Sequence, residues 1–458
     1  MLPANLLQAI AEPAGGRVVL VIGAGCSFEP PTGLPLSRQC AEQAHAELLA
    51  NGILVIGDCP DPSDISALAD TVVRKTGNQD ALVGSMHPGR FKTAQPNQGH
   101  TLAAILLIER AVSCVVTLNF DLALSAALQM VGGSDVEIIQ GPEDHGQLGA
   151  INLVYLHRNA NSSPDAWILT TDALDNAWRG QWAEVIGRRF ISGPVTVFVG
   201  LGSPAGVLLY SVSRLLAAVP ARAARVYLVD PGLPEHSKFF EALGLPSPSY
   251  IQAGWSAFMQ ELADRVLDSH LQVLDTACNS LVNTHGLPAE DLAPVWATLR
   301  ALGLEGLGRL RARWTLSEGA YLPSYAVSAD LIADLLLAAA CLERLLHARA
   351  KFESEGIVEF RDGTHIAGVI VLASGRGVYR WAKLDGELRH KLPRLQRRDL
   401  PPRCAIISGV LGGRAITPPE NIILEDKPED IVTGPSWFGM FSADELRQKP
   451  DEVRKRIA

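Results

Sequence analysis

The chain has no pair of cysteines at knuckle spacing: its seven stand singly at 26, 40, 59, 114, 278, 341 and 404. A structural zinc ribbon needs two such pairs, so none is expected, and the scatter points to reduced, mostly buried thiols rather than a disulfide framework. Gly-Lys-Ser/Thr is absent, which removes the Walker phosphate loop; G-x-S-x-G and H-E-x-x-H are absent too, which removes the simplest serine-hydrolase and zincin sites. Long apolar runs are also missing. The longest of note, Leu335 to Leu342, lies between Asp334 and Glu343 and is far too short to span a bilayer. The opening MLPANLLQAIAE carries neither a basic n-region nor a small-residue cleavage site, so a soluble, cytoplasmic protein is expected. Charged residues are only 19% and the formal charge is −9, so the chain as a whole is no general polyanion binder.

What is present is apolar mass: hydrophobic residues make up 47% of 458 residues, enough for two or three cored domains. The first 270 residues alternate short β-branched runs with helical segments. Strands are predicted at Val18–Ile22, Cys114–Leu118, Leu153–Leu156, Val195–Val199 and Val226–Val229, and helices at Leu36–Leu49, Thr101–Ala111 and Leu122–Met130. Continuous apolar strands that end in Gly, Asn, Asp or His suit a parallel sheet buried on both faces, and the βαβα order predicts a doubly wound Rossmann-like α/β domain. Ligands in that architecture bind outside the carboxyl ends of the strands, so the residues that end strands are the candidates.

From about residue 271 the chain changes character. Leu271–Cys341 is Leu- and Ala-rich with helical spacing, and Ser328 is positioned to cap a helix reaching about Lys351. Strand-like runs follow at Ile357–Phe360, Ile366–Leu372, Val378–Trp381 and Cys404–Val410, with a final helix at Ser442–Ile457. A second, α+β domain over 271–458 is expected, for regulation, oligomerisation or partner docking. Within it Arg376–Arg403 holds nine Lys/Arg against three acids, a local +6 suited to nucleic acid or an acidic partner, or else a solvated face.

The first strand runs straight into Gly23-Ala24-Gly25-Cys26-Ser27. Glycines there let the backbone turn tightly and approach a pyrophosphate. Phe28 stands where a third Rossmann glycine would be, so this is no ordinary dehydrogenase fingerprint. Gly33-Leu34-Pro35 follows, with Arg38 three residues on; the second strand ends Thr117-Leu118-Asn119-Phe120-Asp121, the third at His157, the fourth in Gly200-Leu201-Gly202-Ser203 and the fifth at Asp230. This ordered set resembles the sirtuin family, in particular its bacterial sirtuin-like branch, over roughly residues 15–265, about 55% of the chain. The zinc-holding C-x-x-C pairs of protein-deacetylating sirtuins are missing, Leu118 stands where they have Gln, Arg158 follows the His in place of Gly, and the loop Cys26–Thr32 is longer. Zinc-free domains of this kind resemble NAD-hydrolysing effectors of bacterial anti-phage defence.

The resemblance implies NAD⁺ as substrate, no metal, and an abortive-infection NAD⁺ hydrolase. Asn119 would hold the water or ribose, His157 would act as general base, and Asp121 would support developing positive charge or buttress Asn119. Gly23, Ala24, Gly25, Ser27, Pro35, Arg38, Thr117, Gly200, Gly202, Ser203 and Asp230 would bind the cofactor. It further implies a homo-oligomer and a partner such as a HerA-type ATPase or a short Argonaute. Two other functions stay open: an NAD-dependent protein deacylase, and a catalytically silent NAD or ADP-ribose binding module. Each residue also has a plainer role. Asn119 and Asp121 can cap the next helix, His157 can be a satisfied loop histidine, Asp230 can form a turn before Pro231-Gly232, and His100 reads as structural. Cys26 and Cys114 read as packed thiols.

Overall fold

The computed structural model describes residues 2–12, 18–179, 195–202, 225–315, 317, 319–352, 356–373, 404–408 and 438–457. The chain divides into two compact units, Met1–Val266 and Leu267–Ala458.

The first unit is built on a seven-stranded sheet. Its strands are β1 (Val18–Ile22), β2 (Val112–Thr117), β3 (Glu137–Ile139), β4 (Asn152–Tyr155), β5 (Val195–Val199), β6 (Arg225–Asp230) and β7 (Tyr250–Gln252), in the order β3-β4-β2-β1-β5-β6-β7. Every pairing is parallel. The central strands β1 and β5 are buried along their whole length, which requires cover on both faces and explains why Thr196 is their one polar residue. The chain leaves β1 toward β2 on one side and later returns to its other side as β5. The strand order therefore reverses beside β1, and a crevice opens at the carboxyl ends there.

Two cores hold this unit. One lies against the sheet and includes Val19, Val21, Cys114, Val116, Val154, Leu156, Phe198 and Phe239. The other fills a helical layer made by Ser37–Ala50, Ile65–Thr76, Asp80–Ser85 and Pro88–Lys92, and it takes in Ala160, Trp167 and Leu169 from the segment after β4. The edge strands β3 and β7 have no counterpart in the sequence prediction. Each has three residues, two of them not fully buried, so neither shows the continuous apolar run that marks the inner strands.

The second unit carries a five-stranded sheet in the order β12-β11-β10-β9-β8, from β8 (Arg349–Phe352), β9 (Ile357–Asp362), β10 (His365–Ala373), β11 (Cys404–Ser408) and β12 (Phe438–Ser442). The pairs β8–β9 and β9–β10 are antiparallel, while β10–β11 and β11–β12 are parallel. The helix expected from Ser328 to about Lys351 stops at Leu346. His347 takes a left-handed conformation there, and the chain re-emerges as β8, whose alternating burial was hidden by its charged residues. The final helix divides into Ala443–Gln448 and Pro450–Ile457, because proline has no N–H to continue the first but suits the opening turn of the second. The expected strand Val378–Trp381 and the basic segment Arg376–Arg403 lie outside the described residues, apart from the β11 start that follows. No helix among the described residues is long and apolar enough to cross a membrane.

Candidate functional site

The loops after β1 and β5 meet backbone to backbone. Gly23 N–H donates to the Val199 carbonyl at 3.0 Å and Gly25 N–H to the Gly200 carbonyl at 2.9 Å. A Cβ on Gly25 would stand 2.8 Å from Gly200 Cα, and Gly200 itself has φ +66°. These glycines are thus required by the seam between two loops, whatever the loops go on to bind. The seam sets the short helix Gly25–Phe28, and with it Ser27, at the crevice beside β1.

Ser27 is 2% exposed and lies at the centre of a polar cluster. Its hydroxyl donates to Asp121 Oδ2 at 2.7 Å and accepts from Asn119 Nδ2 at 3.1 Å. Asn119 Nδ2 also donates to the Gly23 carbonyl at 3.0 Å, so the end of β2 is tied to the loop after β1. Asn119 N–H donates to Thr117 Oγ1 at 3.0 Å, which sharpens the turn out of the strand. Asp121 has two tasks: Oδ2 holds Ser27, while Oδ1 accepts the Ala123 N–H at 3.0 Å at the head of the helix Ala123–Val131. The capping role is therefore real for Asp121 and coexists with the cluster. Burial pushes the Asp121 carboxyl above its usual range, against the hydrogen bonds from Ser27 and Ala123. Asn119 Nδ2 is fully engaged, and no donor among the described residues bonds its Oδ1, which leaves that oxygen as the acceptor the site can offer.

His100 joins the same cluster. It is 1% exposed, with Nδ1 accepting the Asn97 N–H at 3.3 Å and Nε2 lying 3.5 Å from Ser27 Oγ. Since Nδ1 accepts, Nε2 carries the proton and points it at Ser27, whose own proton goes to Asp121. Asn97 fixes this arrangement: its side chain accepts the His100 N–H at 3.1 Å and donates to the Cys26 carbonyl at 2.9 Å. Sequence reasoning passed over Asn97. Its only local signal is its position as N-cap of the helix Gln98–Ile108, and its partners lie some 70 residues upstream.

His157 follows β4. One ring nitrogen donates to the Leu118 carbonyl, while Nε2 is buried with no hydrogen-bond partner among the described residues. Burial lowers its pKa to about 4, so the imidazole is neutral at pH 7 and its bare Nε2 carries a lone pair. The rings of Phe120 and His157 stand 6.2 Å apart, and Trp167 stacks on Phe120 at 4.3 Å.

The remaining expected residues stand outside this hydrogen-bonded cluster. Arg38 has a 76% exposed side chain and is ion-paired with Glu42 at 2.9 Å, one helical turn on. Pro35 is half-buried and borders a cleft of about 680 Å³ shared with Phe28, Gly33, Gln39, Gln43 and Arg90. Asp230 Oδ1 accepts the Gly232 N–H at 2.7 Å, which makes it the former of the turn after β6. Ala24 begins the short helix as its N-cap, and Gly202 has φ +53° at an exposed position. Ser203 lies outside the described residues. Cys26 and Cys114 are buried and in no disulfide, and burial pushes the Cys26 thiol up, which is unsuited to a nucleophile.

No family model and no curated protein matches the sequence. Solved structures do. The chain is similar to a Sir2 homologue–NAD complex, with 18% identity and a TM-score of 0.34 over 59% of this chain and 95% of that one. It is likewise similar to a Sir2 homologue mutant in complex with ADP-ribose, at 17% identity and a TM-score of 0.33 over 58% of this chain and 98% of that one. A complex of Sir2 with a p53 peptide and NAD⁺ matches at 17% identity and a TM-score of 0.32, again over 58% and 98%.

Among the described residues, no group of three or more His, Cys, Asp or Glu side chains is arranged to hold a metal ion. What the crevice offers is an amide oxygen, a buried carboxyl held by a serine, and a neutral imidazole with an unused lone pair. That set can orient a neutral or cationic ligand and take up one proton.

Proposed function

We propose that the first unit is an NAD⁺ glycohydrolase, releasing nicotinamide and leaving ADP-ribose. The observation that carries this is the pairing of His157, whose Nε2 is buried and unpartnered, with the Asn119–Ser27–Asp121 cluster at the ends of neighbouring strands. The glycosidic bond to nicotinamide is already activated, because a cationic pyridinium departs as a neutral molecule. The protein therefore needs chiefly to orient the ribose and support an oxocarbenium-like transition state. Asn119 Oδ1 accepts from a ribose hydroxyl or from the attacking water. Asp121 lies beside it and is poised to offset positive charge as it develops. His157 Nε2 takes the proton of the attacking water, directly or through a ribose hydroxyl. The turns around Gly25, Gly200 and Gly202 line the diphosphate.

The ordered motif resemblance supports a wider setting, a cytoplasmic effector of abortive anti-phage defence that acts as an oligomer with a partner; residues 271–458 would then serve regulation, oligomerisation or partner docking. The deciding experiment is nicotinamide release from NAD⁺ by the purified protein over a range of protein concentrations, beside Asn119→Ala. Release that disappears in the variant establishes activity and site together. Intact NAD⁺ held stoichiometrically, with no release at any concentration, identifies a binding module instead.

A further inference from the structure

Along Asn119-Phe120-Asp121 the two polar side chains join the Ser27 cluster, while the ring between them packs against aromatic neighbours. Trp167 stacks on Phe120 at 4.3 Å and 13°, and Phe91 meets the two rings edge-on at 6.4 and 6.2 Å. The Phe120 ring also neighbours that of His157, 6.2 Å away and tilted by 33°. Trp167 is 2% exposed and firmly placed: its Nε1 donates to the Ser162 carbonyl at 3.4 Å, and its own carbonyl accepts from Gln79 Nε2 at 2.8 Å. The segment that carries it is bonded to both halves of the site. Ala160 N–H donates to the Phe120 carbonyl at 2.8 Å and Ile168 N–H to the His157 carbonyl at 3.4 Å. Ala160, Trp167 and Leu169 are core residues of the helical layer. The carbonyls of Phe120 and His157 are therefore already used, and Phe120 is flanked by the rings of Trp167 and Phe91.

Building on the NAD-cleaving reading, we propose that Trp167, acting through Phe120, holds Asn119 and His157 in one arrangement and closes this flank to any acceptor larger than water. ADP-ribose is then delivered to water and not to an acylated lysine. Trp167 is a positioning and specificity residue; it touches neither substrate nor the reacting atoms. In the reaction it guards, the bond from ribose C1′ to the pyridinium nitrogen breaks and its electron pair stays with nicotinamide. The acceptor oxygen bonds to C1′, and the acceptor's proton passes to His157 Nε2. Methanol reacts by the same balance and yields O-methyl-ADP-ribose.

The test uses the full chain in two assays. The first measures the ratio of O-methyl-ADP-ribose to ADP-ribose formed from NAD⁺ in aqueous methanol. The second follows diethylpyrocarbonate modification of His157 by peptide mass spectrometry, with the exposed His87 as internal reference. Trp167→Ala is expected to raise the methyl product about tenfold, the scale on which a pocket discriminates one small group. It should also bring His157 modification toward the rate of His87, while Trp167→Phe, which keeps a ring face, restores the wild-type values in both assays. If Trp167→Ala does not fold, Trp167→Leu, with bulk but no ring face, stands in for it. Unchanged partition and unchanged modification in a folded variant overturn the proposal. Absence of nicotinamide release from the wild type would overturn the NAD reading alone, because the modification assay needs no turnover and still decides whether Trp167 shields His157.

Discussion

At the head of the helix Gln98–Ile108 and at the end of β4 the first unit places a buried-side histidine, His100 and His157, each with its pKa pulled to about 4 by burial. Their titration is alike, and their bonding is not. His100 meets Asn97 with one nitrogen and faces Ser27 with the other, whereas His157 keeps Nε2 bare in a dry place. An unsatisfied buried nitrogen costs stability, and at a strand end beside a polar cluster it is a candidate for a ligand or water to meet. The contrast teaches that low pKa marks burial, and the missing partner marks the candidate base.

The largest expected effect follows directly. His157→Ala should lower nicotinamide release by roughly 10²–10⁴-fold, the usual contribution of a general base, with a smaller loss of thermal midpoint from the Leu118 carbonyl it leaves unpaired. His100→Ala should do the reverse, costing about 1–3 kcal/mol of stability by stranding the Asn97 N–H and loosening Ser27, with a smaller loss of turnover. Steady-state rates beside thermal melts separate the two. Equal loss of rate with no loss of stability in His100→Ala would erase the contrast.

Next comes the seam under the cluster. Gly25→Ala puts a methyl against the Gly200 backbone, which cannot move as a side-chain tip would. A loss of about 1–3 kcal/mol is expected, readable as a lower urea midpoint. A midpoint equal to wild type would show that the seam is not tight.

The pH dependence sharpens the comparison further. Both histidines have native pKa values below the unfolded 6.5, so the unfolded chain binds more protons between about 4 and 6.5. Their stabilising contribution is complete above pH 6.5 and is lost as pH falls toward 4. Asp121 acts with the opposite sign: its raised native pKa favours the folded state on the acid side, and that advantage is lost as pH rises through the native value. Urea melts at pH 7.5 and pH 5 should therefore show a loss on acidification that His100→Asn reduces and Asp121→Asn enlarges. A slope identical in all three proteins would show that neither group carries the linkage.

The smallest effect belongs to Arg38. Its pair with Glu42 is exposed and within one helix, so Arg38→Ala should change stability by less than about 0.5 kcal/mol. The KM for NAD⁺ in this variant tests the role that the motif resemblance implies for Arg38; an unchanged value removes it from the cofactor-binding set.

Local features of the chain were the most legible. β1 and β5 have the predicted bounds, because strands buried on both faces must be mainly apolar. The polar residues that stop them are equally plain, since a strand leaving the core must meet water or a ligand. The half-exposed edges β3 and β7 and the charged strand β8 were not legible, for their patterns are those of surface loops and helices. The site divides in the same way. Asn119, Asp121 and His157 stand out as strand ends, but Asn97 and Trp167 show no sign of their parts.

By itself, then, the sequence determined the strand alternation, the turn-forming glycines and the polar residues at the strand ends, all properties of neighbours along the chain. Only the tertiary structure decided that Ser27 bonds Asp121 across 94 positions, that both His100 ring nitrogens face polar groups where His157 Nε2 is bare, and that Trp167 stacks on Phe120. Those relations depend on which elements the sheet order and the helical layer bring together. Hydrogen-bond partnership and burial are properties of that packing, not of any local stretch of residues.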